Sequence, residues 1–306
     1  MTKIAFMFPG QGSYEAGMGR EVAEAVPEAM EVYEAGSDAS GLDLKRICFH
    51  DPVENLLDTR IQQPALVATS LALDAAIRAR GIEPDFVVGH SVGEFAALGA
   101  AGSLGAPEAI ALVRDRGIAM AEAARDRPGS MAAILGLADE VVESLCHRIA
   151  NVWPANYNCP GQIVVSGEDP AVGEVCAEAE REGARRAVRL RVSGAFHSPL
   201  VARAADKLRP AVDRVHFHDP RHAFMSTVTA KLEDAHRYRE LLIEQLTAPV
   251  KFTQAARELV EKGVTVFVEV GPGNVLSGLL KRIDRGVRTV SVSDLEGLRQ
   301  LEETLA

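Results

Sequence analysis

Phe86-Val-Val-Gly-His-Ser-Val-Gly-Glu94 is the stretch whose reading decides the fold. An apolar strand over Asp85–Val88 runs into Gly89-His90-Ser91-Val92-Gly93, and a helix is expected over Glu94–Ala101. A G-x-S-x-G sequence between strand and helix is a nucleophile elbow. The turn is so tight that the residues two before and two after the serine must be small. Ser91 then stands alone at the positive end of the following helix, where backbone N–H groups can receive a developing oxyanion. The bland alternative is a serine capping a helix in a glycine turn; the strand before and the helix after favour the nucleophile.

Outward from the elbow, strands and helices alternate. Ile4–Phe8 reads as a first strand and Gln63–Arg80 as an apolar-periodic helix ending at Gly81. Pro107–Ala124 is a long amphipathic helix with proline near its start. Val264–Val270 is a nearly continuous apolar strand, as a parallel sheet covered on both faces requires. Asn274–Ile283 follows as a helix and Arg288–Val292 as a strand. Such alternation predicts an α/β fold with a parallel sheet. The middle differs. Strand Met131–Leu137, helix Asp139–Ile149, strands Val152–Tyr157 and Ile163–Ser166, helix Asp169–Glu182 and strand Ala187–Val192 spell β-α-β-β-α-β, the ferredoxin-like pattern. This predicts an inserted small domain at 126–193 within a discontinuous main domain, 1–125 and 194–306.

The composition excludes several classes. The 306 residues carry 33 Lys+Arg and 43 Asp+Glu, a net charge of −10, where a nucleic-acid binder usually shows a basic excess. At 47% hydrophobic and 25% charged the chain is an ordinary globular one. No apolar run approaches the ~20 residues of a membrane span. The start, Met1–Ser13, reads as a strand and a Gly-rich turn and not as an export signal. Cys48, Cys146, Cys159 and Cys176 show no CxxC spacing, so reduced thiols in a cytoplasm are expected.

A serine needs a base. Of eight histidines, His197 in Ser193-Gly-Ala-Phe-His-Ser-Pro199 lies where the inserted segment returns to the main one, a favourable place for a catalytic cleft. His216, His218 and His222 have a spacing that could suggest a metal, but they lie in a charged stretch that reads as a solvated strand with a turn; no metal is expected. Gly10-Gln11-Gly12 lacks the spacing of a dinucleotide or phosphate loop. It instead lets backbone N–H groups approach a ligand closely.

With these residues in view, the chain resembles the malonyl-CoA:acyl carrier protein transacylase family, the acyltransferases of fatty acid and polyketide synthesis. The resemblance runs nearly end to end. It is carried by Phe8-Pro-Gly-Gln-Gly-Ser13, Gln63-Pro-Ala-Leu66, Gly89-His-Ser-Val-Gly-Glu94, Arg116-Gly-x-x-Met120 and Asn156-x-Asn158-x-Pro-Gly-Gln162. Gly194-Ala-Phe-His-Ser198, Gln245-Leu-x-x-Pro-Val250 and Glu269-Val-Gly-Pro-Gly273 continue it. It implies an α/β-hydrolase-like main domain with the ferredoxin-like insert and a ping-pong transfer. Ser91 would attack malonyl-CoA, with His197 as base and then acid. The pantetheine thiol of an acyl carrier protein would take the malonyl group from the serine. The same resemblance assigns the oxyanion hole to the backbone of Gln11 and Val92 and the orientation of His197 to the Gln245 carbonyl. Arg116 becomes the anchor of the malonyl carboxylate, a role suited to a planar, always-charged fork. Gln63, His90, Met120 and Phe196 complete the substrate-binding set; no bound cofactor is implied.

Phe196 matches malonyl-selecting members, its ring crowding a 2-methyl group; one methyl is worth only about 1–3 kcal/mol. Tyr14 and Val92 depart from the usual glutamine and leucine. An acyl hydrolase acting on carrier-protein thioesters, or a non-catalytic carrier-docking domain, would be the alternatives; Arg116 speaks against the first and the intact Ser91 and His197 against the second. A generic carboxylesterase would need an acid between serine and histidine, where Asp139 and Asp169 look like helix N-caps. Since the net charge opposes an acidic carrier protein, docking is expected at a local basic patch, Arg185, Arg186, Arg189 and Arg191 or Lys281, Arg282 and Arg285.

Overall fold

A computed structural model describes residues 2–306. Its ten strands are β1 Lys3–Phe8, β2 Phe86–Gly89, β3 Ser130–Leu135, β4 Val152–Cys159, β5 Gln162–Gly167, β6 Arg186–Arg189, β7 Ala223–Ser226, β8 Lys231–Glu233, β9 Val264–Val270 and β10 Arg288–Val292. Six of them form a mixed sheet in the order β10-β9-β1-β2-β7-β8. All neighbours are parallel except the β7–β8 edge pair. The apolar runs read as doubly covered strands are just that: Ala5–Phe8 and Phe267–Val270 are fully buried. Phe6, Phe8, Val266 and Val268 face the helices Thr59–Arg78 and Gly93–Ala100, while Ala5, Met7 and Phe267 face Phe252–Glu261 and Val275–Ile283. Among the described residues no helix is long and apolar enough to cross a membrane.

The other four strands form an antiparallel sheet, β4-β5-β3-β6, with the helices Asp139–Arg148 and Asp169–Arg181 supplying its own apolar core. It is tied to the main sheet's body by backbone bonds Tyr157 N to Val250 O and Val250 N to Ala155 O, both 2.8 Å.

Several elements differ from expectation. The helix predicted from Gln63 starts four residues earlier, at Thr59, because Asp58 caps it by accepting from Arg60 N. Asp139 and Asp169 are the first helical residues and not caps; Ala138 and Glu168 hold the cap positions. His216 and His218 lie in an irregular segment, not a strand. That segment is held by His218 N to Ser103 O and Arg221 N to Ala101 O, and His222 meets Glu83 at 2.9 Å. The helices Arg20–Ala25, Pro27–Ser40 and Leu44–Phe49 precede Thr59–Arg78, and Ala202–Arg214, Ala235–Glu244 and Leu295–Leu305 fill the C-terminal half.

Candidate active site

The elbow is built as its sequence requires. A Cβ on Gly89 would lie 2.1 Å from Glu94 N, and one on Gly93 would lie 2.2 Å from the Phe8 carbonyl oxygen, so backbone occupies both places. Ser91 is held at φ 53°, a left-handed conformation that a non-glycine residue adopts at a cost. β2 delivers the serine to the C-terminal edge of the sheet, and the helix Gly93–Ala100 leaves from beneath it. Among the described residues neither Val92 N–H nor Gln11 N–H finds an acceptor in the protein.

His197 also stands at positive φ, 58°, and reaches Ser91 across 106 residues of chain. Its Nε2 lies 2.7 Å from Ser91 Oγ. Its Nδ1 lies 2.8 Å from the Gln245 carbonyl oxygen and 3.1 Å from that of Ala248. Carbonyls only accept, so Nδ1 carries the hydrogen and Nε2 presents a lone pair to the serine hydroxyl. Burial and then the nearby Arg116 charge lower the imidazole to about 3, so it rests neutral.

Arg116 comes from the helix Ala106–Asp126 and is completely buried. It donates from Nη1 to Gln63 Oε1 (2.6 Å) and from Nη2 to Gln245 Oε1 (3.0 Å) and Ser91 Oγ (3.2 Å). The Phe95 ring lies 5.8 Å from its Cζ, and among the described residues its Nε has no partner. Burial brings the guanidinium down to about 9, opposed by Glu94, and leaves it charged at neutral pH. Surface partners play no part: Glu108 caps Gly105 and Asp115 pairs with Arg114.

The other expected residues fall into two groups. Gln11 and Phe196 line a cavity of ≈ 290 Å3 with Tyr14, Thr59, Gln62 and Arg191; Ser91 and His197, 7% and 5% exposed, do not line it. Gln63, Met120 and His90 sit behind. Gln63 Nε2 donates to Thr59 Oγ1 at 2.7 Å and contacts Met120 Sδ at 3.4 Å, so Met120 packs on the residue that holds Arg116. His90 Nε2 lies 2.9 Å from Asn158 Oδ1 and its ring packs near Phe252, a strut between the elbow and β4. Sequence reasoning gave no role to Glu94, to the Gln245 side chain or to Thr59. Glu94 was visible as the lone acid in the apolar helix GEFAALGA; the other two carried no local signal.

Comparison with known proteins shows the family. The acyl transferase domain family model matches residues 5–304. A malonyl CoA-acyl carrier protein transacylase of Bacillus subtilis is 42% identical over 100% of this chain and 98% of its own length. The solved structure of the Coxiella burnetii protein of that name superposes with a TM-score of 0.96 at 37% identity, covering 99% of this chain and 98% of that one. A malonyl-transacylase in complex with a type II polyketide synthase acyl-carrier protein gives 0.95 at 37% identity, with 99% and 100% covered. The chain therefore belongs to the acyl transferase family, within its malonyl CoA-acyl carrier protein transacylases.

Proposed function

We propose that this chain moves a malonyl group from malonyl-CoA to the phosphopantetheine thiol of an acyl carrier protein through a malonyl–Ser91 ester, supplying fatty acid or polyketide synthesis. The observation that carries the reading is the convergence on one oxygen. Ser91 Oγ lies 2.7 Å from the free Nε2 of His197 and 3.2 Å from Arg116 Nη2. His197 takes the serine proton as Oγ attacks the thioester carbon, and the carbonyl electrons move onto oxygen. The oxyanion is received by Gln11 and Val92 N–H, donors of a kind each worth about 10²–10³ in turnover. Collapse expels the CoA thiolate, which takes the proton from His197 Nε2. The carrier's thiol then repeats the sequence in reverse. During both steps the Gln245 carbonyl holds the imidazolium's Nδ1–H, doing for the ring what a triad carboxylate does elsewhere.

Arg116 selects the carboxylated acyl group. Of its five N–H donors three are engaged, one of them with the very oxygen that becomes the ester oxygen. A carboxylate paired with this cation also removes part of what keeps His197 weakly basic, so binding malonyl raises the basicity of the base. Phe196 narrows the cavity against branched acyl groups, and the substrates are the only non-protein groups the reading requires.

The same reading treats 126–193 as a ferredoxin-like insertion in a hydrolase-like main unit, 1–125 and 194–306, acting in the cytoplasm. The strand order β4-β5-β3-β6 around two helices and the strand–elbow–helix at Ser91 support the architecture, and four free thiols suit a reducing compartment. For docking of the carrier, Arg191 on the cavity wall and the closeness of the two basic clusters are the support. A Cβ on Gly136 would touch Arg185, and one on Gly161 would lie 3.9 Å from both Gly136 and Arg282. Initial rates with malonyl-CoA varied at several carrier concentrations test the mechanism: double-reciprocal lines are parallel for a covalent intermediate, and intersecting lines would reject it.

A further inference from the structure

Glu94 is wholly buried in the first turn of the helix Gly93–Ala100, and the mechanism above gives it nothing to do. Yet it is fully engaged. Oε1 accepts from Thr227 N (2.6 Å), Thr227 Oγ1 (2.9 Å) and Ser226 Oγ (3.2 Å). Oε2 accepts from Gln245 Nε2 at 2.8 Å. Gln245 then turns its Oε1 to Arg116 Nη2, 3.0 Å away, while its backbone oxygen holds His197. The polarity of this chain reads the same from both ends, since the guanidinium can only donate and demands the amide oxygen. A carboxylate oxygen can accept but not donate, so the amide must show it NH2, and its oxygen must therefore face the guanidinium.

We propose that Glu94 is a positioning residue for acyl selection: through the Gln245 carboxamide it fixes the orientation of Arg116 and so the discrimination between carboxylated and uncarboxylated acyl groups. The inference rests on the reading of Arg116 as the carboxylate anchor.

Glu94→Gln tests it without changing shape. The donors at Thr227 and Ser226 keep an oxygen at the Oε1 place, so the new NH2 lies at the Oε2 place, against Gln245 Nε2. Two sets of N–H groups then face each other at the Gln245 amide; it shifts away, or flips and sets its NH2 against the guanidinium, and in either case Arg116 loses its fixed partner. Protonation has the same sense: with Oε1 already accepting three bonds, an added proton goes on Oε2 and opposes Gln245 Nε2. The charged or titratable groups around the site are Arg116 on the helix Ala106–Asp126, His197 across Gln245, and His90 in the elbow; Ser226 and Thr227 at the end of β7 are neutral. Burial raises Glu94 to about 7, holds His197 near 3 and leaves Arg116 near 9, and it lowers His90, which does not touch this chain of bonds.

The measurement is the ratio of kcat/KM for acylation by malonyl-CoA to that by acetyl-CoA. Glu94→Gln is expected to lower it about tenfold or more, the effect of misplacing a charge-assisted hydrogen bond. In the wild-type protein, which raises no question of folding, the ratio is expected to fall as pH drops from 8 to 5.5. In Glu94→Gln it is expected to be low and flat. A Glu94→Gln protein that loses both activities equally, or one that keeps the wild-type ratio, would overturn the proposal. Arg116→Ala measured alongside separates the two readings. If that variant keeps the wild-type ratio, the anchor assignment fails; if it loses the ratio while Glu94→Gln keeps it, only the positioning role fails.

Discussion

On the proposed reading, replacing Arg116 by alanine separates recognition of the carboxylate from the chemistry of acyl transfer. The side chain is buried, donates to Gln63, Gln245 and Ser91, and contributes neither the nucleophile nor the base. A bidentate grip on a carboxylate comprises two charge-assisted hydrogen bonds, each worth about 1.5–3 kcal/mol. Part of that is offset because Ser91 must release its bond from Nη2. A net loss of about 3 kcal/mol corresponds to roughly a 150-fold fall in kcat/KM for malonyl-CoA. Acetyl-CoA has no carboxylate to lose, so its transfer should fall far less and can rise. The substitution also removes a cation that lowers His197, so the imidazole pKa moves up from its value near 3. The sign follows directly: acylation by acetyl-CoA should lose rate as pH falls through that pKa, and this acid limb should appear at higher pH in Arg116→Ala than in wild type. The assay is single-turnover acylation with each thioester from pH 4 to 8, on protein shown to be folded by its thermal transition. Orphaning Gln63 Oε1 and Gln245 Oε1 costs stability, but that cost is shared by both substrates. Equal losses for malonyl and acetyl groups would refute the anchor and leave Arg116 a structural residue.

Two further outcomes follow from the same geometry. Phe196→Ala widens the cavity beside the base and should improve the kcat/KM ratio of methylmalonyl-CoA to malonyl-CoA by about 10–100-fold, the scale of one methyl contact; an unchanged ratio measured by competition would remove Phe196 from selection. Reversing charge at Arg185 and Arg282 together should raise KM for the carrier protein and weaken its salt dependence, leaving acylation by malonyl-CoA nearly unchanged; no change in that KM would place docking elsewhere.

How much of this was legible depends on where each signal resides. The elbow is local, so Gly89, Ser91 and Gly93 announce it together. β9 is a doubly covered parallel strand, and seven nearly continuous apolar residues show it. The helices between Arg20 and Phe49 passed unread for two reasons: Arg20–Ala25 and Leu44–Phe49 have six residues each, too few for a helical period to register, and Pro27–Ser40 buries only Ala29, Tyr33, Gly36 and Ser40, a face with little apolar signal. β7 and β8 have four and three residues, too few for any period to register. The site divides the same way. A lone arginine on a helix reads as a surface charge, and only the surrounding Arg-Gly-x-x-Met pattern marks Arg116. The bonds from Glu94 to Thr227 and Gln245 span 133 and 151 residues, and no spacing in one sequence can announce contacts that only the sheet's topology creates.

The central claim, that malonyl passes through an ester on Ser91, is tested most directly by intact-protein mass spectrometry with peptide mapping after brief incubation with malonyl-CoA and no carrier protein. The account predicts a mass increase of one malonyl group, located on the peptide bearing Ser91, discharged on adding holo-carrier protein and missing from Ser91→Ala. A malonyl adduct on another residue, or full transfer activity in Ser91→Ala, would contradict it.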